Sequence, residues 1–436
     1  MKQKLLAFYG DDFTGSTDAL EFLTRAGAKT LLFIEPPSLE QLAQFPNLDA
    51  YGIAGMTRAL PALEMDAKLL PAFSLMKASK VRHVHYKTCS TFDSSPAIGS
   101  IGKAIDTGAS VFANKLVPLL VAAPALGRYS VFGNLFARMG IGSNGSIFRL
   151  DRHPSMSKHP VTPMDESDLQ LHLGKQTVKK IGLINLLQLD KPVEEMFESD
   201  NDEEIILLDC LYESQLLKIG TWIDQQVNGN APLFSVGSSG IEMALGEYWK
   251  TTGKIESIVS WQHPGCVSPL LVISGSCSPV TLAQIVYARA NGFEEVVLDP
   301  VKICRENIMA GNYTEQVNTL LRQDKNVVVH TGEKQAENLS SEKLGMALGL
   351  IAKQAVEKSL IKRVLISGGD TSSYAARAMQ IDAVEMIAPL VTGAPLCKVI
   401  SSNKMINGLE VNIKGGQVGA ASYFELVRQG GMVNSE

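Results

Sequence analysis

A chain of 436 residues with 45% hydrophobic and 19% charged residues, 37 glycines and 19 prolines has the composition of an ordinary soluble globular protein of about two or three domains. Its formal net charge of −5 excludes the basic footprint of a nucleic-acid binder. No apolar run reaches the roughly 20 residues that a membrane helix needs; the longest candidate, Leu116 to Leu126, is short and holds two prolines.

Met1-Lys2-Gln3-Lys4 leads straight into a first strand, Leu5–Tyr9, without a cleavage-type signal, so a cytoplasmic location is expected. The loop Gly10-Asp11-Asp12-Phe13-Thr14-Gly15-Ser16 follows, and a helix is expected over Thr17–Ala26. The carboxyl end of a strand feeding a helix is where open α/β sheets bind ligands. Two adjacent carboxylates crowded there raise each other's pKa. The plainer alternative is that Asp12 or Thr14 only caps the helix.

Further strands are expected at Thr30–Ile34, Ala50–Ala54, His83–Tyr86, Leu116–Ala122, Lys180–Ile184, Ile205–Leu208 and Pro232–Val236. Helices fill the gaps at Pro61–Ser79, Ile98–Thr107, Asp165–Gly174, Tyr212–Asn228 and Ile241–Lys250. His83 and His85 alternate on one strand and share a face, but no third ligand lies nearby in sequence, so no metal site is expected there. Two loops are irregular: Arg149–Met164 is basic and proline-rich, and Glu194–Glu204 is an acidic surface turn. Thr251 to Pro269 is polar and turn-rich and is the best linker candidate.

A second alternating series follows, with strands at Leu270–Ile273, Val296–Leu298, Asn326–His330, Arg363–Ile366, Val384–Ile387 and Leu409–Ile413. Its helices are expected at Pro279–Asn291, Asn312–Gln323, Ser341–Lys358, Ser372–Ile381 and Val418–Arg428. Strand–helix alternation argues for right-handed βαβ units. The expected fold is α/β, with two domains at 1–250 and 268–436, each a mainly parallel sheet flanked by helices, joined by a linker at 251–267. The six cysteines (Cys89, Cys210, Cys266, Cys277, Cys304, Cys397) are scattered without a C-x-x-C pair, which favours free thiols.

The second series repeats one local device. A strand runs into Ser274-Gly275-Ser276-Cys277-Ser278 before a helix opening at Pro279. Another runs into Ser367-Gly368-Gly369-Asp370-Thr371-Ser372, and a third into Lys414-Gly415-Gly416-Gln417. Glycine lets the backbone approach a ligand, and a helix N-terminus offers free N–H groups and partial positive charge, so strand–glycine–helix suits phosphate. Three such turns in one domain point to a nucleotide site, although no P-loop motif occurs. Gly140-Ile141-Gly142-Ser143-Asn144-Gly145 fits G-x-G-x-x-G literally but lacks the flanking strand and helix, and is discounted.

In the first series, Lys87-Thr88-Cys89-Ser90-Thr91-Phe92-Asp93-Ser94-Ser95-Pro96 places a cation, hydroxyls and a carboxylate at a strand end. Such a loop suits a small polyhydroxy anion; a hydroxyl-rich helix cap is the structural alternative. Arg58, after the Ala50–Ala54 strand, can supply the bidentate guanidinium that a carboxylate prefers, unless it is merely solvated.

Asp11-Asp12-Phe13-Thr14-Gly15, Lys87 through Ser95, Gly237-Ser238-Ser239-Gly240, Ser274-Gly275-Ser276-Cys277-Ser278 and Gly368-Gly369-Asp370-Thr371 together resemble the four-carbon acid sugar kinase family, which includes 3-oxo-tetronate and D-threonate kinases. The resemblance spans nearly the whole chain and keeps the motif order. Family members often have alanine where Gly10 stands, and Gly-Ala-Thr-Asp where Gly15-Ser16-Thr17-Asp18 stands. The resemblance implies an N-terminal domain that binds the acid sugar, a C-terminal domain that binds ATP, and transfer of the γ-phosphoryl group to the sugar acid's 4-hydroxyl in the cleft between domains.

On this reading Asp12 is the base and Asp11 orients the loop or helps to hold Mg²⁺. Arg58 and Lys87 hold the substrate carboxylate, and Ser90, Thr91, Asp93 and Ser94 read its hydroxyls. Ser274, Gly275, Ser276, Gly368, Gly369, Asp370, Thr371, Gly415 and Gly416 cradle ATP. The expected partners are the sugar acid and ATP, with a homodimer as an option and neither nucleic acid nor membrane. Two rivals predict other signals. A nicotinamide-dependent oxidoreductase needs a G-x-G-x-x-G after strand one, where Asp-Asp stands instead. A two-lobed binding protein without kinase activity would respond to the acid alone. The identity of the acid depends on angstrom-scale placement of hydroxyl readers.

Overall fold

A computed structural model describes residues 3–139, 145–159, 161–197, 202–229, 231–276, 278–305, 311–332, 339–359 and 361–431. Its strands in chain order are β1 (Leu6–Gly10), β2 (Thr30–Phe33), β3 (Ala50–Ala54), β4 (His83–Lys87), β5 (Val117–Leu120), β6 (Arg128–Val131), β7 (Asn134–Arg138), β8 (Ile147–Arg149), β9 (Ile181–Ile184), β10 (Ile205–Leu208), β11 (Leu233–Gly237), β12 (Leu271–Ser274), β13 (Glu294–Val297), β14 (Val327–His330), β15 (Arg363–Ser367), β16 (Ala383–Val391), β17 (Ala394–Ile400) and β18 (Glu410–Lys414). The chain forms two compact units, Met1–Thr30 with Pro36–Ile258 and Leu31–Glu35 with Val259–Glu436.

The first unit carries a parallel sheet in the order β3-β1-β4-β11-β5-β10-β9. Every residue of β1 and β4 is buried, as expected for strands covered by helices on both faces. On one face Tyr9, Phe73, Tyr86, Phe112 and Phe234 pack ring to ring, with Phe112 stacked on Phe234 at 5.3 Å and Phe73 against Phe234 at 5.4 Å. The helices Ala62–Ala78 and Ile101–Phe112 bring Phe73 and Phe112 there. The helices Phe13–Ala26 and Gly240–Thr251 pack on each other. Trp249 of the latter meets His83 on the opposite face of β4.

The second unit is ordered β13-β14-β12-β15-β18-β17-β16-β2. Its β13 to β18 portion is parallel, whereas β18-β17-β16-β2 is antiparallel. The sheet is therefore mixed on one flank. The hairpin β16–β17 is the main reason. Only Val384–Ile387 is legible in sequence, because Pro395 demotes the second strand, although a turn glycine, Gly393 at φ 84°, separates the two. Leu270, Val272, Ile285, Val328, Leu365, Leu396, Phe424 and Val427 belong to its buried core.

Two further differences are local. The first helix starts at Phe13 rather than Thr17, because Asp12 caps it and its carboxylate accepts from the Gly15 N–H. The stretch 128–149 forms a small antiparallel sheet, β6-β7-β8, that the sequence patterning does not show. Most of the discounted 140–145 glycine motif, and Cys277, lie outside the described residues; the remaining five cysteines are free thiols.

Candidate active site

Strict parallel register assembles the site. Gly10 of β1 lies opposite Ala54 of β3 and Lys87 of β4, and Lys87 lies opposite Gly237 of β11. Four strands thus end level, and the loops after them are stitched together. The Asp11 N–H donates to Lys87 O at 2.8 Å, the Arg58 N–H to Asp11 O at 3.0 Å, and the Thr88 N–H to Gly237 O at 2.7 Å. Gly10 permits the tight turn: a Cβ there would sit 1.9 Å from Ser16 Oγ.

A guanidinium bridges the first and third loops. Arg58 donates from Nη1 to Asp12 Oδ2 at 3.0 Å, and from Nη2 and Nε to Asp93 Oδ2 at 2.6 and 3.2 Å. Among the described residues three of its five N–H donors are used, and two remain. Asp93 also accepts from Thr91 Oγ1 at 2.6 Å. Burial alone would raise its pKa, but the Arg58 guanidinium and the Thr91 hydrogen bond hold it below the usual carboxylate value. Asp12 and Asp11 differ sharply. The Asp12 side chain is 20% exposed, and its Oδ1 accepts from the Gly15 N–H at 2.6 Å. Asp11 is buried, its Oδ2 accepting from the Cys89 N–H at 3.2 Å and its Oδ1 lacking a partner among the described residues. Burial first, and the Asp12 carboxylate second, push Asp11 well above the usual range.

The other residues expected here divide. Ser90 is buried, with no side-chain partner among the described residues. Ser94 is bound into the scaffold by His172 Nε2 at 3.1 Å and Gln176 Nε2 at 2.9 Å. Lys87 is fully enclosed and donates to Thr88 O at 2.9 Å. Burial works against its ammonium, yet Asp18, Glu242, Asp11 and Asp12 hold its pKa above the ordinary lysine value. Lys87 therefore neutralises carboxylates below the loops rather than projecting to the surface.

The period of two in His83-Val84-His85-Tyr86-Lys87 explains this environment. His83, His85 and Lys87 share one face of β4. His83 Nε2 meets Asp224 Oδ1 at 2.9 Å. His85 Nε2 lies 3.1 Å from Gly237 O, a pure acceptor, so Nε2 carries the proton and Nδ1 keeps its lone pair. That nitrogen faces Glu242 Oε1 at 3.7 Å. Burial pushes the Glu242 and Asp18 carboxyls up to about 7, against the pull of Lys87. Glu242 escapes a motif-based reading because it is one acidic residue in an ordinary helix; Asp18 falls in the Gly15-Ser16-Thr17-Asp18 stretch, but only the alternation in β4 points to the face it meets.

The second unit repeats the design. Ser274, Ser367 and Lys414 end their strands level. The Gly275 N–H donates to Ser367 O at 3.1 Å, and the Gly368 N–H to Lys414 O at 3.0 Å. Gly368, at φ 142°, holds a backbone that other residues rarely adopt. Ser278 caps the helix Pro279–Ala290 by accepting from the Thr281 N–H at 3.1 Å, and Thr281 Oγ1 donates to Gly416 O at 2.8 Å. The helix Asp370–Ala378 has no side-chain cap at Gly369; the Ser372 N–H donates to Gly369 O at 3.1 Å, and the Asp370 and Thr371 N–H groups have no partner among the described residues, which suits an anion. Ser276, Gly369, Thr371 and Gly415 stand on these same loops. Lys414 is buried, its Nζ 3.1 Å from Gly415 O, and burial pushes its ammonium down to about 7.

Two family models match the chain. Residues 6–245 match the family model described as "Sugar-binding N-terminal domain", and residues 271–424 match "Nucleotide-binding C-terminal domain". A 3-oxo-isoapionate kinase of Paraburkholderia graminis is 38% identical, over 98% of this chain and 94% of its own. The chain belongs to the four-carbon acid sugar kinase family. A second relative in this family, a 3-oxo-tetronate kinase of Cupriavidus necator, is 26% identical over 98% of this chain and 97% of its own. A solved structure from Salmonella typhimurium LT2, provisionally described as a tRNA synthase, covers 99% of this chain and all of its own with a TM-score of 0.79 at 25% identity. A Haemophilus influenzae protein shares the fold at a TM-score of 0.71 and 21% identity, over 98% of this chain and all of its own. As a member of this family the chain is a sugar-acid kinase that uses ATP.

Proposed function

We propose that the chain transfers the γ-phosphoryl group of ATP to the 4-hydroxyl of a 3-oxo sugar acid with a four-carbon backbone, and that a branched acid of the 3-oxo-isoapionate type is preferred over an unbranched 3-oxo-tetronate. The branched preference is supported by the 38% identity to the 3-oxo-isoapionate kinase, against 26% to a 3-oxo-tetronate kinase. The acid-sugar role of the first unit rests on one observation above all, the Asp12–Arg58–Asp93 bridge across level strand ends. Such a site, working with ATP, fits the cytoplasm.

Phosphoryl transfer asks the protein for positioning, cations and a proton acceptor. Asp12 is the base: it is the reachable carboxylate of the pair, whereas Asp11 is enclosed and prone to keep a proton. The two unused N–H groups of Arg58 hold the substrate carboxylate, and Ser90 reads a hydroxyl. Thr91, Asp93 and Ser94 act mainly by fixing this frame. The backbone N–H groups around Ser276, Gly369 and Asp370 cradle the phosphates, and Lys414, whose proton affinity rises when an anion arrives, supplies charge. Asp11 and Asp12 would hold Mg²⁺: the cation would favour the ionised form of Asp11, whose Oδ1 has no partner among the described residues. When bound it would neutralise charge on the transferring phosphate.

Asp12→Asn separates the base from the cap, because asparagine caps a helix as well as aspartate does. The expected outcome is a kcat lower by about 10²–10⁴-fold with Tm nearly unchanged. A near wild-type kcat in an ATP-dependent assay would remove Asp12 from the base role. The substrate proposal is tested by turnover across D- and L-threonate, D- and L-erythronate, their 3-oxo forms and 3-oxo-isoapionate. Absence of turnover with all of them would refute it.

A further inference from the structure

The basic, proline-rich stretch after β8 has no role in the reaction as described so far, yet it ends on the site. Thr162 is buried, and its Oγ1 lies 3.3 Å from Asp93 Oδ2, the oxygen that Arg58 already grips. The same hydroxyl is 3.0 Å from His159 Nδ1, and the Thr162 N–H donates to that nitrogen at 3.1 Å. A nitrogen that accepts an N–H has its lone pair turned inward, so the hydrogen of the neutral ring sits on Nε2. His159 is partly exposed, and Nε2 has no partner among the described residues. The ring is thus fixed on one side to the Asp12–Arg58–Asp93 frame and presents a donor on the other.

We propose that His159 is a specificity-determining residue of the sugar-acid site, donating from Nε2 to an oxygen of the bound acid beyond the reach of Arg58 and Ser90. This rests on the acid-sugar reading of the first unit. A branched acid offers one more oxygen there than an unbranched one, so the donor discriminates between them. Thr162 is the positioning residue that holds the ring.

Two replacements divide the ring's functions. His159→Gln places an amide N–H near the former Nε2 but loses the anchor at Nδ1. His159→Asn keeps an acceptor near the former Nδ1 but loses the outer donor. Steady-state kinetics on 3-oxo-isoapionate and 3-oxo-tetronate, with Tm recorded for each variant, separate the two. His159→Asn is expected to raise KM for the preferred acid by about tenfold, the loss of one hydrogen bond to ligand, with kcat within about twofold. The ratio of kcat/KM between the two acids should fall with it, and His159→Gln should retain more of that ratio. Thr162→Val should act in the same direction more weakly. An unchanged ratio in His159→Asn, or a fall in Tm with no change in KM, would overturn the proposal and leave His159 as a loop anchor. Failure of the wild-type enzyme on every acid would instead refute the substrate reading, and this proposal with it.

Discussion

Glu242 sits in an unfavourable environment. It is fully buried, neither carboxylate oxygen has a hydrogen-bond partner among the described residues, and burial holds its pKa near 7 against an ordinary value of 4.5. Between those two values the folded chain keeps a proton that the unfolded chain has lost. Stability therefore falls as pH rises from about 4.5 to about 7, and above that the full penalty is present. Each unit of such a shift is worth about 1.4 kcal/mol, which bounds the effect at a few kcal/mol. Glu242→Gln should be as stable as wild type near pH 4.5 and more stable at pH 8, because a glutamine N–H can serve His85 Nδ1 without a charge. Denaturant midpoints at the two pH values check this; a difference of the opposite sign would contradict the buried-acid account.

The turn before Asp11 offers a second test at the same scale. Alanine often occupies position 10 and position 16 in the resembling family, and in this chain a Cβ at Gly10 would meet Ser16 Oγ at 1.9 Å. Gly10→Ala alone should destabilise by about 1–3 kcal/mol through overpacking, and Gly10→Ala with Ser16→Ala should recover most of that. Additive effects in the double-mutant cycle would show that the two positions are not coupled.

At the level of elements, β4 carries both the architecture and the chemistry. Its start is fastened to the helix Leu216–Gln225 by Asp224, whose Oδ2 meets Arg82 Nη2 at 2.7 Å and Lys254 Nζ at 3.3 Å, while Oδ1 meets His83 Nε2 at 2.9 Å. Burial opposes the Asp224 charge, yet these partners hold its pKa far below the usual value. A carboxylate with a depressed pKa contributes stability above its unfolded pKa and loses it in acid. Asp224→Asn should cost about 3–5 kcal/mol at pH 7, since it leaves the Arg82 guanidinium without its counter-charge and weakens the hydrogen bond to buried His83, and should flatten the acid limb of the stability curve. Thermal unfolding from pH 3 to pH 7 measures both; an unaltered acid limb would assign the acid sensitivity to another group. The strand periodicity that places His83, His85 and Lys87 on one face is legible in the sequence. The acidic residues opposite are not, because Asp18 lies about 65 residues before β4 and Asp224 and Glu242 more than 130 residues after it.

At the scale of the molecule, each unit is expected to answer to its own ligand. The acid should protect the backbone amides of Asp11, Arg58 and Cys89, which join the loops after β1, β3 and β4. A non-hydrolysable ATP analogue should protect those at Gly275, Gly368 and the start of the helix Asp370–Ala378. Hydrogen exchange with each ligand alone reports this, because ligand binding to the folded state suppresses opening. Protection of the first unit by the ATP analogue alone would reverse the assignment of the loops. Among the described residues no helix is long and apolar enough to cross a membrane.

What the sequence determined by itself was the set of strand–loop–helix turns. Asp11-Asp12, Lys87 to Ser95, Ser274 to Ser278 and Gly368 to Thr371 are contiguous, and a contiguous turn carries its own glycines, caps and polar residues. The two-part α/β organisation followed from the same alternation of periods. Tertiary structure decided the rest. It enclosed Lys87, which the loop sequence suggested would reach the substrate, and spent three of the five Arg58 donors on Asp12 and Asp93. It brought β2 into the second unit, paired antiparallel with β16, and it set Thr162 and His159 against Asp93. Each of these depends on which residues meet across long separations in sequence. Local patterning records the period and caps of an element, but not the partner that covers its face.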